Sequence, residues 1–150
     1  MTNQEPNSLL AKLLRVAKLR EQNSASCVIE SSNGEILTLH ERGVSDLYRL
    51  LTQDSEALNG SLIADKVVGK GAAALMILGK VRALYAVVIS KPALELLNAH
   101  TIEVHYNQIV ENIINRTATD ICPIERRCLK CLTPEECLKE IEDFLNTRHS

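Results

Sequence analysis

The stretch LIADKVVGKGAAALMILGKVRALYAVVISKPALELL, residues 62–97, decides the fold. It begins with a short apolar segment, passes through the Gly-Lys-Gly motif at 69–71 into a helix with little side-chain bulk, and continues as the nearly unbroken apolar run 81–89. Such a run is typical of a strand that is covered on both faces, and a proline then marks the first turn of another helix. The stretch therefore predicts strand, helix, strand and helix, the repeating unit of an α/β sheet.

The flanking sequence supplies the remaining elements. Hydrophobic periodicity and turn residues predict a helix over 8–21, a hairpin around Asn33-Gly34, a helix capped by Ser45 and including Leu58, a strand over 101–106, a helix over 108–115 and a last helix begun by a capping box at Thr133. This order predicts a three-layer α/β/α sandwich around a mixed five-stranded sheet with an antiparallel N-terminal hairpin. We expect residues 1–24 to form an amphipathic helical extension and residues 25–150 to form the main domain.

Composition limits the classes of partner. The chain has 150 residues, of which 45% are hydrophobic, and a formal net charge of -2, so it lacks the broad positive field of a nonspecific nucleic-acid binder. Four aromatic residues and no tryptophan leave little for base stacking. No leader segment is evident and no apolar stretch reaches the length of a membrane span. We therefore expect a cytoplasmic protein that binds neither nucleic acid nor membrane.

The strongest candidate site follows the first strand of the central stretch. Ligands gather at the carboxyl ends of strands in open α/β sheets, because helix N-termini converge there. Asp65, Lys66, Gly69 and Lys70 occupy such a position and offer charges of both signs beside a backbone that a ligand can approach closely. The motif fits neither a Walker loop nor a dinucleotide fingerprint. The alternative is that the small residues only allow a helix to lie close to the sheet.

Two later segments add candidates to the same crevice. Ser90 follows the buried strand, although a serine before proline also commonly caps a helix. Arg116 leads into Cys122 and Glu125, where a thiol beside a cation could serve as nucleophile and the carboxyl as acid or base. The predicted catalytic residues are thus Cys122, Glu125 and Lys70, and an inert buried thiol is the alternative.

A cluster of cysteines lies near the C-terminus. Its members are Cys122, Cys128, Cys131 and Cys137. Four thiolates can hold zinc or an iron–sulfur cluster, but zinc sites usually contain two separated Cys-x-x-Cys pairs, and only one is present. A metal site is therefore kept as an alternative, and no cofactor is expected.

Three blocks of this sequence resemble a known family. They are residues 64–70 with Ala72-Ala73, residues 88–90 with 92–94, and Asn115-Arg116 leading to Cys122-Pro123 and Glu125. The chain is similar over roughly residues 25–145 to a small prokaryotic domain-of-unknown-function family (eighteen ninety-three) in the cytidine deaminase-like superfamily. The resemblance implies a deaminase-like fold whose crevice takes a nucleotide-like or other small anionic ligand.

The residues present exclude zinc-dependent deamination, whatever the resemblance implies about the fold. That chemistry needs a His or Cys ligand followed by a catalytic Glu, and then Pro-Cys-x-x-Cys. Residues 58–93 contain no His, Cys or Glu, and Lys91-Pro92-Ala93 stands where Glu-Pro-Cys would be. We therefore expect binding of a small molecule, with metal-free catalysis left open. The alternative from another class is a noncatalytic interaction protein whose N-terminal helix mediates association, for example as a homodimer.

Overall fold

A mixed five-stranded sheet forms the centre of the computed structural model, which describes residues 8–41, 44–115 and 117–148. The strands are β1 (Cys27–Glu30), β2 (Ile36–Leu39), β3 (Leu62–Val68), β4 (Ala83–Ser90) and β5 (Glu103–Val110), in the spatial order β2-β1-β3-β4-β5. β1 pairs antiparallel with β2 and β3, whereas β3, β4 and β5 run parallel. The predicted mixed sheet with its antiparallel hairpin is confirmed.

Helices cover both faces of this sheet. They are α1 (Leu9–Gln22), α2 (Ser45–Gln53), α3 (Lys70–Leu78), α4 (Lys91–Asn98), α5 (Pro123–Cys128) and α6 (Pro134–Arg148), with one 3-10 turn at Ser55–Ala57. The first helix buries Leu13 and Val16 on one face of the sheet, against Val28 and Ala64. The other helices share a larger core with the opposite face. The three layers of the predicted sandwich are therefore present, and α1 supplies one of them.

Small residues bring α3 close to its neighbours. Ala73 and Ala74 are fully buried in the main core. A Cβ on Gly71 would lie 2.5 Å from Cγ2 of Ile124, which is closer than atoms can approach. Gly71 is therefore required for the contact between α3 and α5, whereas the packing interpretation of this motif expected a close approach of the helix to the sheet.

Three local predictions are wrong. Residues 108–115 do not form a helix, because Gln108, Ile109 and Val110 extend β5 and pair with β4. Ser45 is the first residue of α2 rather than its cap, and no side chain caps that helix. The helix also ends at Gln53, so Leu58 reaches the core from the turn that follows.

No helix in the described part of the chain combines the length and the apolar character needed to cross a membrane.

Candidate functional site

A cleft of about 540 Å³ opens beside the carboxyl end of β3. Its walls come from the first residues of β1, the segment between β2 and α2, the loop after β5 and the C-terminal helix. Five of the residues predicted from sequence line it: Asp65, Lys66, Gly69, Cys122 and Glu125. The structure therefore brings the segment that contains Asp65 and Gly69 together with the segment that contains Cys122 and Glu125.

Asp65 places a titratable carboxyl in the cleft. It lies opposite Cys27 in the antiparallel ladder between β1 and β3. Burial raises the pKa of Asp65 to about 7, against the opposing influence of the backbone N–H groups of Val67 and Lys66 and the positive charge of Arg20. A carboxyl with this pKa exchanges its proton near neutral pH, so it can act as a hydrogen-bond donor or acceptor toward a ligand.

Glu125 joins two walls of the cleft. Its side chain is 1% exposed, and its two oxygens accept hydrogen bonds from the backbone N–H of Lys70 at 2.7 Å and that of Ile113 at 2.8 Å. Because a Cβ on Gly69 would lie 3.0 Å from the nearer oxygen, the glycine permits this close approach. The carboxylate thus fills the N-terminus of α3, where a ligand anion was expected. This geometry gives Glu125 a structural role, and its predicted catalytic role stays a prediction.

Lys70 does not share the cleft with Cys122, contrary to expectation. Its ammonium donates hydrogen bonds to the carbonyl oxygens of Cys131 at 2.6 Å and Leu129 at 3.3 Å. These carbonyls lie just beyond α5, so the positive charge stabilises the end of that helix. The main cation predicted to hold an anion is therefore directed elsewhere.

The other predicted residues have separate positions. Ser90 is fully buried, and its hydroxyl accepts a hydrogen bond from the N–H of Ala93 at 3.2 Å, which caps α4. Cys122 is half-buried, carries a free thiol and lines the cleft immediately before α5. Arg116 lies outside the described residues.

Sequence reasoning missed the wall to which residues 40–41 and 44–47 contribute. His40, Glu41 and Asp46 line the cleft there, and none of them was among the predicted site residues. The signal was available in the predicted hairpin. β2 is antiparallel to β1, which is antiparallel to β3, so β2 and β3 end at the same edge of the sheet. Residues after β2 therefore return to the site.

Comparison with known proteins adds the family. Residues 15–145 match the family model described as TM1506, domain of unknown function (DUF1893). The chain belongs to the DUF1893 family. A solved structure, the DUF1893 family protein TM1506 from Thermotoga maritima, is 28% identical, with 95% of this chain and 96% of that chain covered and a TM-score of 0.80. No curated protein matches.

The cysteines of this DUF1893 chain fall into separate environments. Cys122 lines the cleft, whereas Cys128, Cys131 and Cys137 are buried in the main core where α5 and α6 meet. Within 8–41, 44–115 and 117–148, no group of three His, Cys, Asp or Glu side chains is placed to hold a metal ion. The alternative of a four-thiolate metal site is therefore not supported by the geometry.

Proposed function

We propose that the protein binds a small molecule of nucleobase or nucleoside size in the cleft, and that Asp65 recognises an N–H donor of that ligand. A volume of about 540 Å³ lies within the range of small-molecule sites. The lining exposes more apolar than polar surface, which suits a flat ring with a polar edge. The carboxyl of Asp65 carries the proposal, because it lines the cleft at the end of β3 and its burial raises its pKa to about 7.

The charges of the cleft favour a neutral or cationic group over an anionic one. Glu41, Asp46, Asp65 and Glu125 contribute carboxyl groups, whereas Lys66 is the ammonium-bearing residue of the described lining. The N-terminus of α3 is already occupied by a carboxylate. The ligand expected from sequence is therefore revised from an anion to a ring whose N–H groups face Asp65. The implied deaminase-like ancestry agrees with a nucleobase-like shape, by analogy of fold alone.

Calorimetric titration with nucleosides and their monophosphates tests this proposal. Loss of a charged hydrogen bond predicts roughly tenfold weaker nucleoside binding by Asp65→Asn at pH 8. Asp54→Asn, which removes an exposed carboxylate not among the lining residues, is the matched control and should bind normally. Nucleoside affinity should rise from pH 5 to pH 8 as Asp65 loses its proton, and this rise should vanish in Asp65→Asn. A monophosphate that binds more than tenfold tighter than its nucleoside would contradict the proposed charge preference.

Cys122 is the candidate nucleophile for a covalent step in the cleft. It is partly accessible and lines the same cleft as Asp65. Alkylation of the thiol at neutral pH, compared with free cysteine, tests the nucleophile hypothesis. A rate no faster than that of free cysteine would leave the protein as a binding domain without a reactive thiol.

Self-association through α1 is a second candidate function. Leu10 and Leu14 are 42% and 47% exposed and lie one helical turn apart. Deleting the whole helix would remove Leu13 and Val16 from the core, so the double variant Leu10→Lys, Leu14→Lys is the better test. The candidate predicts a dimer mass for the parent chain in light scattering and a monomer mass for the variant. Equal masses would exclude it.

A further inference from the structure

Three buried cysteines form a cluster whose members are not among the residues that line the cleft. Cys128 and Cys137 are fully buried and Cys131 is 5% exposed, and all three thiols are free. Cys128 ends α5, Cys131 follows three residues later, and Cys137 lies in the first turn of α6. The short connection between these helices therefore folds the three side chains into one part of the core.

The three thiols have an electrostatic environment that is unusual for a hydrophobic core. The ammonium of Lys70 reaches the backbone carbonyl of Cys131, so a positive charge lies beside the thiols. Hydrogen bonding from Cys128 lowers the pKa of Cys137, with further help from Cys131 and Lys70. Burial and the proximity of Cys137 raise the pKa of Cys131 to about 11. Cys137 is therefore the more acidic thiol of this pair and Cys131 the less acidic.

Cys131 is the member of the cluster that solvent can approach. A depression of about 290 Å³ is lined by Cys131 together with Lys130, Glu136, Lys139 and Glu140. Cys128 and Cys137 are not among its lining residues. A small oxidant that enters this depression therefore meets Cys131 before the two fully buried cysteines.

We propose that Cys131 and Cys137 form a reversible disulfide, with Cys131 as the sulfur that first reacts with a hydroperoxide. Cys131 gives its proton to solvent in the depression, and the resulting Cys131 thiolate attacks one peroxide oxygen. The O–O bond breaks, Cys131 becomes a sulfenic acid and, for hydrogen peroxide, the departing hydroxide takes a proton to form water. The Cys137 sulfur then attacks that of Cys131, and the S–OH oxygen leaves as a second water. Two thiols are oxidised and one peroxide is reduced.

Peptide mapping distinguishes this pair from the alternatives. Cleavage after Lys and Arg places Cys131 and Cys137 together in the peptide 131–139, whereas Cys128 lies in the peptide 128–130. The full chain is treated with hydrogen peroxide, its remaining thiols are alkylated, and it is digested without reductant. We expect peptide 131–139 to be two hydrogen atoms lighter than its dithiol form and unalkylated, and dithiothreitol treatment of the folded protein to restore both thiols.

Substitutions and competing products give the controls. Cys131→Ser and Cys137→Ser should each lose the oxidised peptide, whereas Cys122→Ser should retain it. A cross-link between 128–130 and 131–139 would overturn the assignment of the pair, and alkylation of both thiols in 131–139 after peroxide treatment would overturn the disulfide itself. The two overturning outcomes are both measured on the unsubstituted chain, so the proposal can be refuted even where a Cys→Ser variant fails to fold. The test does not involve the cleft, so its outcome is independent of the proposed function.

Discussion

Removal of the Glu125 side chain should destabilise the protein by an amount that can be worked from two hydrogen bonds. Glu125→Ala leaves the N–H groups of Lys70 and Ile113 without acceptors, and each such buried group costs about 1–3 kcal/mol. Since the Lys70 bond is buried and the Ile113 bond is part-buried, we expect a total of about 3–4 kcal/mol. Glu125→Gln keeps one acceptor oxygen and should cost about 1–2 kcal/mol.

Urea unfolding measures these free energies and their order. Glu21→Ala is the matched control, because Glu21 is exposed near the end of α1 and its loss should change stability by less than about 0.5 kcal/mol. Added acetate should recover part of the stability lost in Glu125→Ala, since it can occupy the vacated N-terminus of α3. A cost below about 1 kcal/mol for Glu125→Ala would refute the structural role assigned to this carboxylate.

Three further substitutions test separate parts of the structure. Folding raises the pKa of Asp65, so the folded state binds this proton more tightly and the free energy of unfolding falls as pH rises from about 4 to about 7. In urea unfolding, the stability of Asp65→Asn should therefore increase relative to that of the parent chain over this pH range. A difference that stays constant with pH would contradict this. Gly71→Ala should lower the free energy of unfolding by about 1–3 kcal/mol in the same assay, because the added Cβ overlaps Ile124. An unchanged free energy would mean that α5 shifts at little cost. Lys70→Met should lower the free energy of unfolding by about 1–3 kcal/mol and should change the nucleoside affinity measured by calorimetry by less than twofold. A tenfold loss of nucleoside affinity would show that the Lys70 ammonium contributes to binding.

The fold was largely readable from sequence because its signals are local. The apolar run 81–89 contains almost all of β4, and Asn33-Gly34 forms the hairpin turn, with Gly34 at a φ of +93°. One half of the predicted capping box forms, since the Thr133 hydroxyl accepts a hydrogen bond from the N–H of Glu136 at 3.1 Å. The Glu136 carboxylate accepts from the N–H of Leu132 at 2.7 Å, one residue before the cap. The error at 108–115 arose where pairing with β4, a long-range interaction, decided the conformation of a segment whose pattern is ambiguous.

The site was less readable because identical local patterns have different long-range partners. Gly69-Lys70 at a helix start indicates an anion site, and the structure does place a carboxylate there, but that carboxylate belongs to Glu125, 55 residues further along the chain. Lys70 has a flexible side chain whose direction no local pattern specifies, and carbonyl oxygens beyond α5 hold its ammonium. An anion motif can thus be satisfied within its own chain. In the proposed function, recognition of the ligand therefore rests on Asp65, whose pKa is raised by its buried environment and not by a sequence motif.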